Sequence, residues 1–184
     1  MDRIETARLN LRPVTTDDAA FVLRVLNDPG YVENIADRGV RTLEQAREYM
    51  KTAAVFAYDD RGLGFNIVEV RETGEAVGIC GLVKRDTLDD VDVGYALLET
   101  YAGRGYAREA AAGTLAHALG RLGLGRVVAI TAPGNTGSRR VLEVIGMRFE
   151  GVIQVPGYDG GSALYAAEQI SPNTDNNVQS AFSA

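Results

Sequence analysis

Residues 91–131 constrain the fold of this chain more than any other stretch. Val91 to Leu98 predicts a strand, Glu109 to about Leu122 a helix with one apolar stripe, and Arg126 to Thr131 a short buried strand. Gly103-Arg104-Gly105 lies between the first strand and the helix and indicates a tight turn. Neighbouring strands joined through a helix run parallel, because the crossover returns the chain to the same end of the sheet. The pattern therefore predicts an α/β chain with a parallel strand pair.

The other periodic segments add antiparallel strands and further helices. Phe65 to Val70 and Ala76 to Val83 flank a polar turn, which predicts a hairpin. The remaining predicted strands are Leu9 to Val14, Val152 to Val155 and Ala163 to Ile170, and the remaining helices carry Phe21 to Leu26, run from Leu43 to about Ala53, and follow Asn135. Residues 31–42 show no period and predict a loop. The sheet is thus predicted to be mixed and mostly antiparallel, with helices packed on it.

Length and composition predict one soluble domain. A chain of 184 residues suffices for one well-packed core and is short for two, so residues 1–170 are assigned to a single domain. Residues 171–184 are rich in Asn and Ser, have little to bury, and predict a disordered tail. The lone cysteine, Cys80, lies in an apolar strand pattern and is predicted to be a buried structural thiol.

The charge and hydropathy of the chain argue against two classes of partner, nucleic acids and membranes. The net charge of −6 disfavours non-specific nucleic-acid binding, which needs a basic face, and mildly favours a cationic substrate. No apolar run is long enough to span a bilayer, and the first five residues do not resemble a signal peptide. We therefore expect a cytoplasmic protein that binds neither nucleic acid nor membrane.

The Gly103-Arg104-Gly105 turn has the character of an anion site. It opens a helix whose first N–H groups are unpaired, and glycine lets an anion approach the backbone closely. A dinucleotide fingerprint would need a third glycine where Arg108 stands, and a nucleotide-triphosphate loop would need a Gly-Lys-Ser/Thr ending. Both are absent, and from the turn alone a plain tight turn is an equally good interpretation.

A second motif decides between these interpretations. It spans Pro133 to Gly151 and begins Pro-Gly-Asn-Thr-Gly-Ser-Arg-Arg. Together with Asp92-Val93-Gly94-Tyr95 and the Gly103 to Ala110 segment, it resembles the GNAT superfamily of N-acetyltransferases. Within that superfamily the chain is most similar to the branch that contains the ribosomal-protein N-alpha-acetyltransferases. The resemblance extends to about residue 170 and implies a single-domain fold in which the parallel strands splay apart, with helices on both faces of the sheet.

The resemblance also implies where acetyl-CoA binds. Its pyrophosphate would rest on the turn and first helical residues, namely Gly103, Arg104, Gly105, Tyr106, Ala107 and Arg108. Its pantetheine arm would pair with the backbone of Tyr95, Leu97 and Leu98, and its thioester end would meet Asn135 and Ser138. No metal is implied.

Acetyl transfer to an amine needs a base, an oxyanion donor and a proton for the leaving thiolate. Asp92 interrupts an apolar strand and is the predicted base, although simple strand alternation would also place a polar residue there. A backbone N–H near Leu97 is the predicted oxyanion donor. Many relatives use a Tyr on the helix after the Asn as the acid. This chain has no Tyr between Tyr106 and Tyr158, so Ser138 is the predicted acid; a local backbone contact is its alternative role. His117 falls on the predicted solvent face of its helix and is not a candidate.

The acceptor is predicted only as a primary amine, either a protein N-terminus or a small molecule. Its walls would be the variable loops at about residues 28–42 and 154–162. The protein would act as a monomer or a homodimer. The rival function is a non-catalytic acyl-CoA-binding regulatory module on the same fold.

Overall fold

A computed structural model describes residues 3–53, 56, 61–156 and 160–169 of the chain. Within these residues, eight strands form one sheet in the order β1-β2-β3-β4-β5-β6-β8-β7. The strands are β1 (Ile4–Glu5), β2 (Leu9–Pro13), β3 (Gly64–Val70), β4 (Ala76–Lys84), β5 (Val91–Leu97), β6 (Arg126–Thr131), β7 (Arg148–Ile153) and β8 (Ser162–Glu168).

The pairing of β5 with β6 is the only parallel pairing among the described strands. It consists of the register pairs Val91↔Val127 and Asp92↔Val128, after which the two strands separate. On its other edge, β5 stays paired with β4 along its whole length. The mixed, mostly antiparallel sheet with a splayed parallel pair is therefore confirmed.

The helices cover both faces of the sheet, as predicted. They are α1 (Ala19–Leu26), α2 (Pro29–Asn34), α3 (Leu43–Thr52), α4 (Tyr106–Ala116) and α5 (Thr136–Val144). The apolar faces of α1–α3 share a buried cluster with Ala96 and Leu98, whereas Leu115 of α4 and Leu142 of α5 share one with Val91 and Val93.

The alternation along β5 decides which side chains face which helices. Because successive strand side chains point to opposite faces, Asp92 and Gly94 lie on the side of α1–α3 with Ala96. Tyr95 lies on the opposite side and contacts the cluster that holds α4 and α5. The strand therefore presents different chemistry to each layer of helices.

Several element boundaries differ from the prediction. Residues 29–34 form α2 instead of a loop, because the Asp28 side chain accepts a hydrogen bond from Gly30 N and Pro29 occupies the first helical position. The strand predicted at Val152 begins at Arg148, where exposed Phe149 hides the apolar alternation. Helix α4 begins at Tyr106, three residues before the predicted start, directly after the glycine turn. Residue 170 and the predicted tail at 171–184 lie outside the described residues.

Cys80 is fully buried, as predicted. Its sulfur lies 3.3 Å from the Thr114 hydroxyl, and burial raises the pKa of the thiol to about 12. Cys80 is therefore a packing residue. Among the described helices, none has the length and apolar character needed to cross a bilayer.

Candidate active site

A cavity of about 430 Å³ opens where β5 and β6 separate. Residues from both strands, from α2 and α3, and from the first turns of α4 and α5 form its wall. The predicted site residues in this wall are Asp92, Tyr95, Leu97, Ala107, Asn135 and Ser138. The other predicted cofactor residues lie near the wall residues Ala102 and Ala107: Leu98 directly follows β5, Gly103, Arg104 and Gly105 precede α4, and Tyr106 and Arg108 lie in its first turn. The two predicted catalytic residues thus share one cavity.

The glycine turn needs glycine at both positions. Gly103 and Gly105 have left-handed backbones, with φ of 75° and 78°, which other residues adopt only with strain. Gly105 caps α4, and the N–H groups of Tyr106, Ala107 and Arg108 make no hydrogen bond within the described part of the chain. Free N–H groups at the positive end of a helix dipole suit a phosphate.

Arginine side chains add positive charge at the same place. A Cβ on Gly105 would lie 3.4 Å from Arg8 Nη2 and 3.9 Å from Arg108 Nη2, so both guanidinium groups lie beside the turn. Arg104 lies over the Tyr101 ring, 5.1 Å from its centre. The turn therefore combines backbone donors with cations, as a pyrophosphate requires.

Asp92 lies deep in the gap and is only 1% exposed. Arg85 Nε donates to Asp92 Oδ2 at 2.6 Å, whereas Oδ1 has no partner at hydrogen-bond distance among the described residues. Burial raises the pKa of Asp92 above its ordinary value, and the charge and hydrogen bond of Arg85, together with a hydrogen bond from the Ile130 backbone, offset part of that rise. A buried carboxylate with one free oxygen and a raised pKa has the properties of a general base.

Tyr95 and Ser138 form a pair of hydroxyl groups across the cavity. Tyr95 Oη lies 2.9 Å from Ser138 Oγ and donates to the Ser138 carbonyl at 3.2 Å. Burial raises the pKa of Tyr95 to about 12. The prediction used only the backbone of Tyr95, and its hydroxyl contact with a helix 43 residues away was missed. Strand alternation alone predicts the face of Tyr95 but not its partner.

Backbone and cap contacts fix the remaining predicted cofactor residues. Asn135 Oδ1 accepts from Ser138 N at 2.9 Å and caps α5, which leaves its amide Nδ2 without a hydrogen bond among the described residues. Leu98 N donates to Val77 O, and the Leu98 carbonyl accepts from Tyr101 N, each at 2.9 Å. Leu98 therefore keeps less free backbone than Tyr95 or Leu97 for pairing with a ligand.

The side of the cavity that Asp92 faces has an aromatic wall. Its members are Tyr31, Tyr49, Phe56 and Phe65, whose rings meet in the pairs Tyr49–Phe56 and Phe56–Phe65, each with centres 5.9 Å apart. Residues between 30 and 38 supply the polar rim, including Glu33 and Arg38, in line with the predicted acceptor wall at 28–42. From the predicted second wall, 154–162, no described residue contributes, and 157–159 lie outside the described residues.

Two further sequence expectations concern residues with other chemistry. His117, which was predicted on the solvent face of its helix, is half-buried in a short π-helical segment that follows α4, and it does not line the cavity. Within the described residues, no group of three or more His, Cys, Asp or Glu side chains could hold a metal ion. Arg85 was missed because it follows β4 in a polar stretch that reads as loop, and no sequence spacing reveals its contact with Asp92.

A family model described as the acetyltransferase (GNAT) domain matches residues 8–148. The chain belongs to this family. It is therefore an N-acetyltransferase, and the GNAT family uses acetyl-CoA as its acyl donor. The Bacillus subtilis (strain 168) protein described as the uncharacterized N-acetyltransferase YoaA is 27% identical over 160 residues, which cover 86% of this chain and 90% of that protein.

Solved structures of other GNAT proteins have the same fold. The acetyltransferase (GNAT family) from Bacillus anthracis superposes with a TM-score of 0.76 at 27% identity, covering 91% of this chain and 99% of that one. The ribosomal L7/L12 alpha-N-protein acetyltransferase RimL in complex with coenzyme A gives a TM-score of 0.77 at 18% identity, covering 91% and 98%. At that identity the likeness to RimL concerns the fold alone.

Proposed function

We propose that this GNAT enzyme transfers the acetyl group of acetyl-CoA directly to a primary amine, with Asp92 as the base. One observation carries the proposal: the free oxygen of a buried carboxylate and a paired hydroxyl group line a single cavity that ends at a phosphate-binding turn. Bound acetyl-CoA supplies a thioester carbonyl, which an amine attacks once it has lost its proton.

The cofactor's phosphates fit the described turn. The N–H groups of Tyr106, Ala107 and Arg108 follow the left-handed Gly103 and Gly105, and together they form a cradle whose backbone shape depends on glycine. The separated edges of β5 and β6 leave main-chain groups beyond Asp92 for an extended ligand. Asn135 Nδ2, free of any hydrogen bond among the described residues, is a donor for a carbonyl on that ligand.

Asp92 acts as the proton acceptor on the acceptor side of the gap. Its Oδ1 takes a proton from the amine, directly or through one water, while Arg85 holds Oδ2 and fixes the carboxylate. The raised pKa increases the basicity of the ionised carboxylate relative to an exposed aspartate. Because Asp92 faces α1–α3, the amine enters along the aromatic wall rather than from the side of Tyr95.

Ser138 and Tyr95 act together at the other side. A serine hydroxyl is a weak acid, so it donates to a thiolate efficiently only if another group donates to its oxygen at the same time. Tyr95 lies 2.9 Å from Ser138 Oγ and stays protonated at neutral pH because burial raises its pKa to about 12. Ser138 Oγ–H then gives its proton to the leaving sulfur, while Tyr95 turns its O–H from the Ser138 carbonyl to Ser138 Oγ and supplies the replacement proton, which Tyr95 recovers from solvent once CoA has left.

An acceptor screen tests the proposed function. The release of CoA thiol is measured with acetyl-CoA and panels of small amines and N-terminal peptides, and calorimetry measures CoA binding. We expect tight CoA binding, acetylation of at least one amine class, and loss of activity in Asp92→Asn and Ser138→Ala but not in the exposed Glu168→Gln control, which lies outside the cavity wall. Tight CoA binding with no acetylation across all panels would favour the regulatory module. Absence of CoA binding would refute both.

A further inference from the structure

We propose that Glu109, through Thr6 and Arg8, is a positioning residue that holds the phosphate-binding turn in its working shape. The inference rests on the proposed function, since it assumes that coenzyme A phosphates occupy the turn at Gly103 to Arg108. It adds residues from the N-terminal β1–β2 connection to the cofactor site. The sequence alone assigned Thr6 and Arg8 no role at this site.

The Glu109 carboxylate collects three hydrogen bonds from that connection. Its Oε1 accepts from Thr6 Oγ1 and from Arg8 N, each at 2.7 Å, and its Oε2 accepts from Arg8 Nε at 2.7 Å. The Glu109 side chain is only 16% exposed. Burial tends to raise the pKa of Glu109, but the hydrogen bonds from Thr6 and Arg8 outweigh it and lower the pKa. Glu109 is therefore ionised at neutral pH and fully engaged with a segment about 100 residues away.

Arg8 extends this contact across the turn. Its Nη1 donates to the Arg104 carbonyl at 3.0 Å, and its guanidinium carbon lies 4.8 Å from the centre of the Tyr106 ring. Its Nη2 lies 3.4 Å from the position that a Cβ on Gly105 would take. Arg8 thus contacts the residues on both sides of Gly105 and spans the left-handed cap of α4. Together, Glu109 and Arg8 connect β2, the turn and the first turn of the helix.

Electrostatics alone does not explain a carboxylate here. A glutamate in a first helical turn interacts well with the helix dipole, but beside a phosphate site its negative charge opposes the ligand. Every proton that Glu109 accepts comes from Thr6 or Arg8, the residues that brace the turn. The Glu109 carboxylate therefore stabilises the shape of the turn, although its negative charge weakens the attraction of the turn for an anion.

These two effects predict opposite results for Glu109→Gln, which makes the variant decisive. Removing the negative charge would tighten anion binding if charge alone mattered. If Glu109 positions the turn, the weaker and rearranged contacts of Gln instead weaken CoA binding, by about tenfold, the size expected for charge-assisted hydrogen bonds. Pantetheine, which lacks the phosphates, should bind the variant and the wild type equally.

The experiment measures the dissociation constants of CoA and of pantetheine by calorimetry for the full chain. The variants are Glu109→Gln; Arg8→Lys, which keeps the charge but loses the planar guanidinium group; and Glu168→Gln, which breaks the exposed Arg126–Glu168 ion pair as a matched control. We expect both site variants to lose CoA affinity selectively and the control to keep it. Unchanged or tighter CoA binding in Glu109→Gln would overturn the proposal, and so would an equal loss for pantetheine. If Glu109→Gln does not fold, Arg8→Lys decides on the same criterion. Failure of the wild type to bind CoA would instead refute the proposed function.

Discussion

Replacing Asp92 with asparagine is the sharpest test of the proposed chemistry, because the change preserves shape and removes only the charge. Removing one partner of a fully buried ion pair costs about 3–5 kcal/mol. Arg85 is 25% exposed, and the Asn amide oxygen can still accept its N–H, so the charge left behind is partly solvated. Since burial already disfavours the ionised carboxylate, the neutral amide offsets much of this cost. We therefore expect the free energy of unfolding to change by no more than about 1 kcal/mol, which moves Tm by no more than about 2–4 °C for a chain of this size.

The catalytic effect of Asp92→Asn should be far larger than its effect on stability. Loss of a general base lowers kcat by about 10²- to 10⁴-fold, whereas the affinity for CoA should not change, because Asp92 lies on the face away from the helix that carries the turn. Steady-state kinetics, calorimetry and thermal unfolding of the same preparations separate these effects. A variant that keeps more than half of the wild-type kcat would refute the role of Asp92.

The pH dependence gives an independent check on the same residue. Since burial raises the pKa of Asp92, the native state binds its proton more tightly than the unfolded chain does. The contribution of Asp92 to stability is therefore complete below the unfolded pKa and is lost as the pH rises through the folded pKa. Activity has the opposite trend, because the ionised form is the base. We expect kcat/KM to fall as the pH drops through this raised pKa, and Asp92→Asn to abolish both trends. If the pH dependences of stability and of kcat/KM persist in Asp92→Asn, another titrating group causes them.

Three further predictions concern the rest of the site and the core. Tyr95→Phe should lower kcat by about tenfold with little change in CoA affinity, because Ser138 loses its proton donor. Equal single-turnover rates for the variant and the wild type would contradict this. Gly105→Ala should weaken CoA binding and lower the free energy of unfolding by about 1–2 kcal/mol, since φ at this position is 78°. Calorimetry measures the first effect and urea unfolding the second. Wild-type values in this variant would show that the turn tolerates a side chain at this position. Cys80, with a buried thiol whose pKa is about 12, should react with a thiol reagent only after unfolding, and rapid labelling of the native protein would contradict its packing role.

The regular part of the fold could be predicted from local patterns. The order strand, turn, helix, strand at residues 91–131 predicted the parallel strand pair. This was possible because glycine positions and apolar periodicity are local features that can be seen directly in the sequence. Helix α2 was missed because Asp28-Pro29-Gly30 is equally typical of a turn and of a helix start, and only the Asp28 side-chain contact with Gly30 N distinguishes them. The start of strand β7 was predicted too late in the chain, because Phe149 and Val152 are exposed and the strand does not show the apolar alternation of a half-buried strand.

Several residues of the candidate site could be identified from the sequence, but the contacts between them could not. Asp92, Ser138 and the glycine turn carry signals in the sequence, because a charge in an apolar strand, a capped helix and paired glycines are locally unusual. The contacts Arg85–Asp92, Tyr95–Ser138 and Arg8–Glu109 join segments whose spacing follows no rule. They depend on tertiary packing, and in the proposed mechanism each sets the protonation or the position of a residue or turn that the sequence had already indicated.

The separation of β5 from β6 also bears on how the protein avoids unwanted association. An unpaired strand edge invites pairing with any extended chain, which is why exposed edges favour aggregation. Here the unpaired edges lie in the interior of the sheet, between strands that are fully paired on their outer sides and enclosed by α1–α3 on one face and α4 and α5 on the other. We expect these helices to hinder a polypeptide strand from pairing along the inner edges more than they hinder a narrow, flexible ligand arm. The fold thus keeps bare backbone available for one narrow class of ligand, and binding that ligand should slow amide hydrogen exchange along both inner edges.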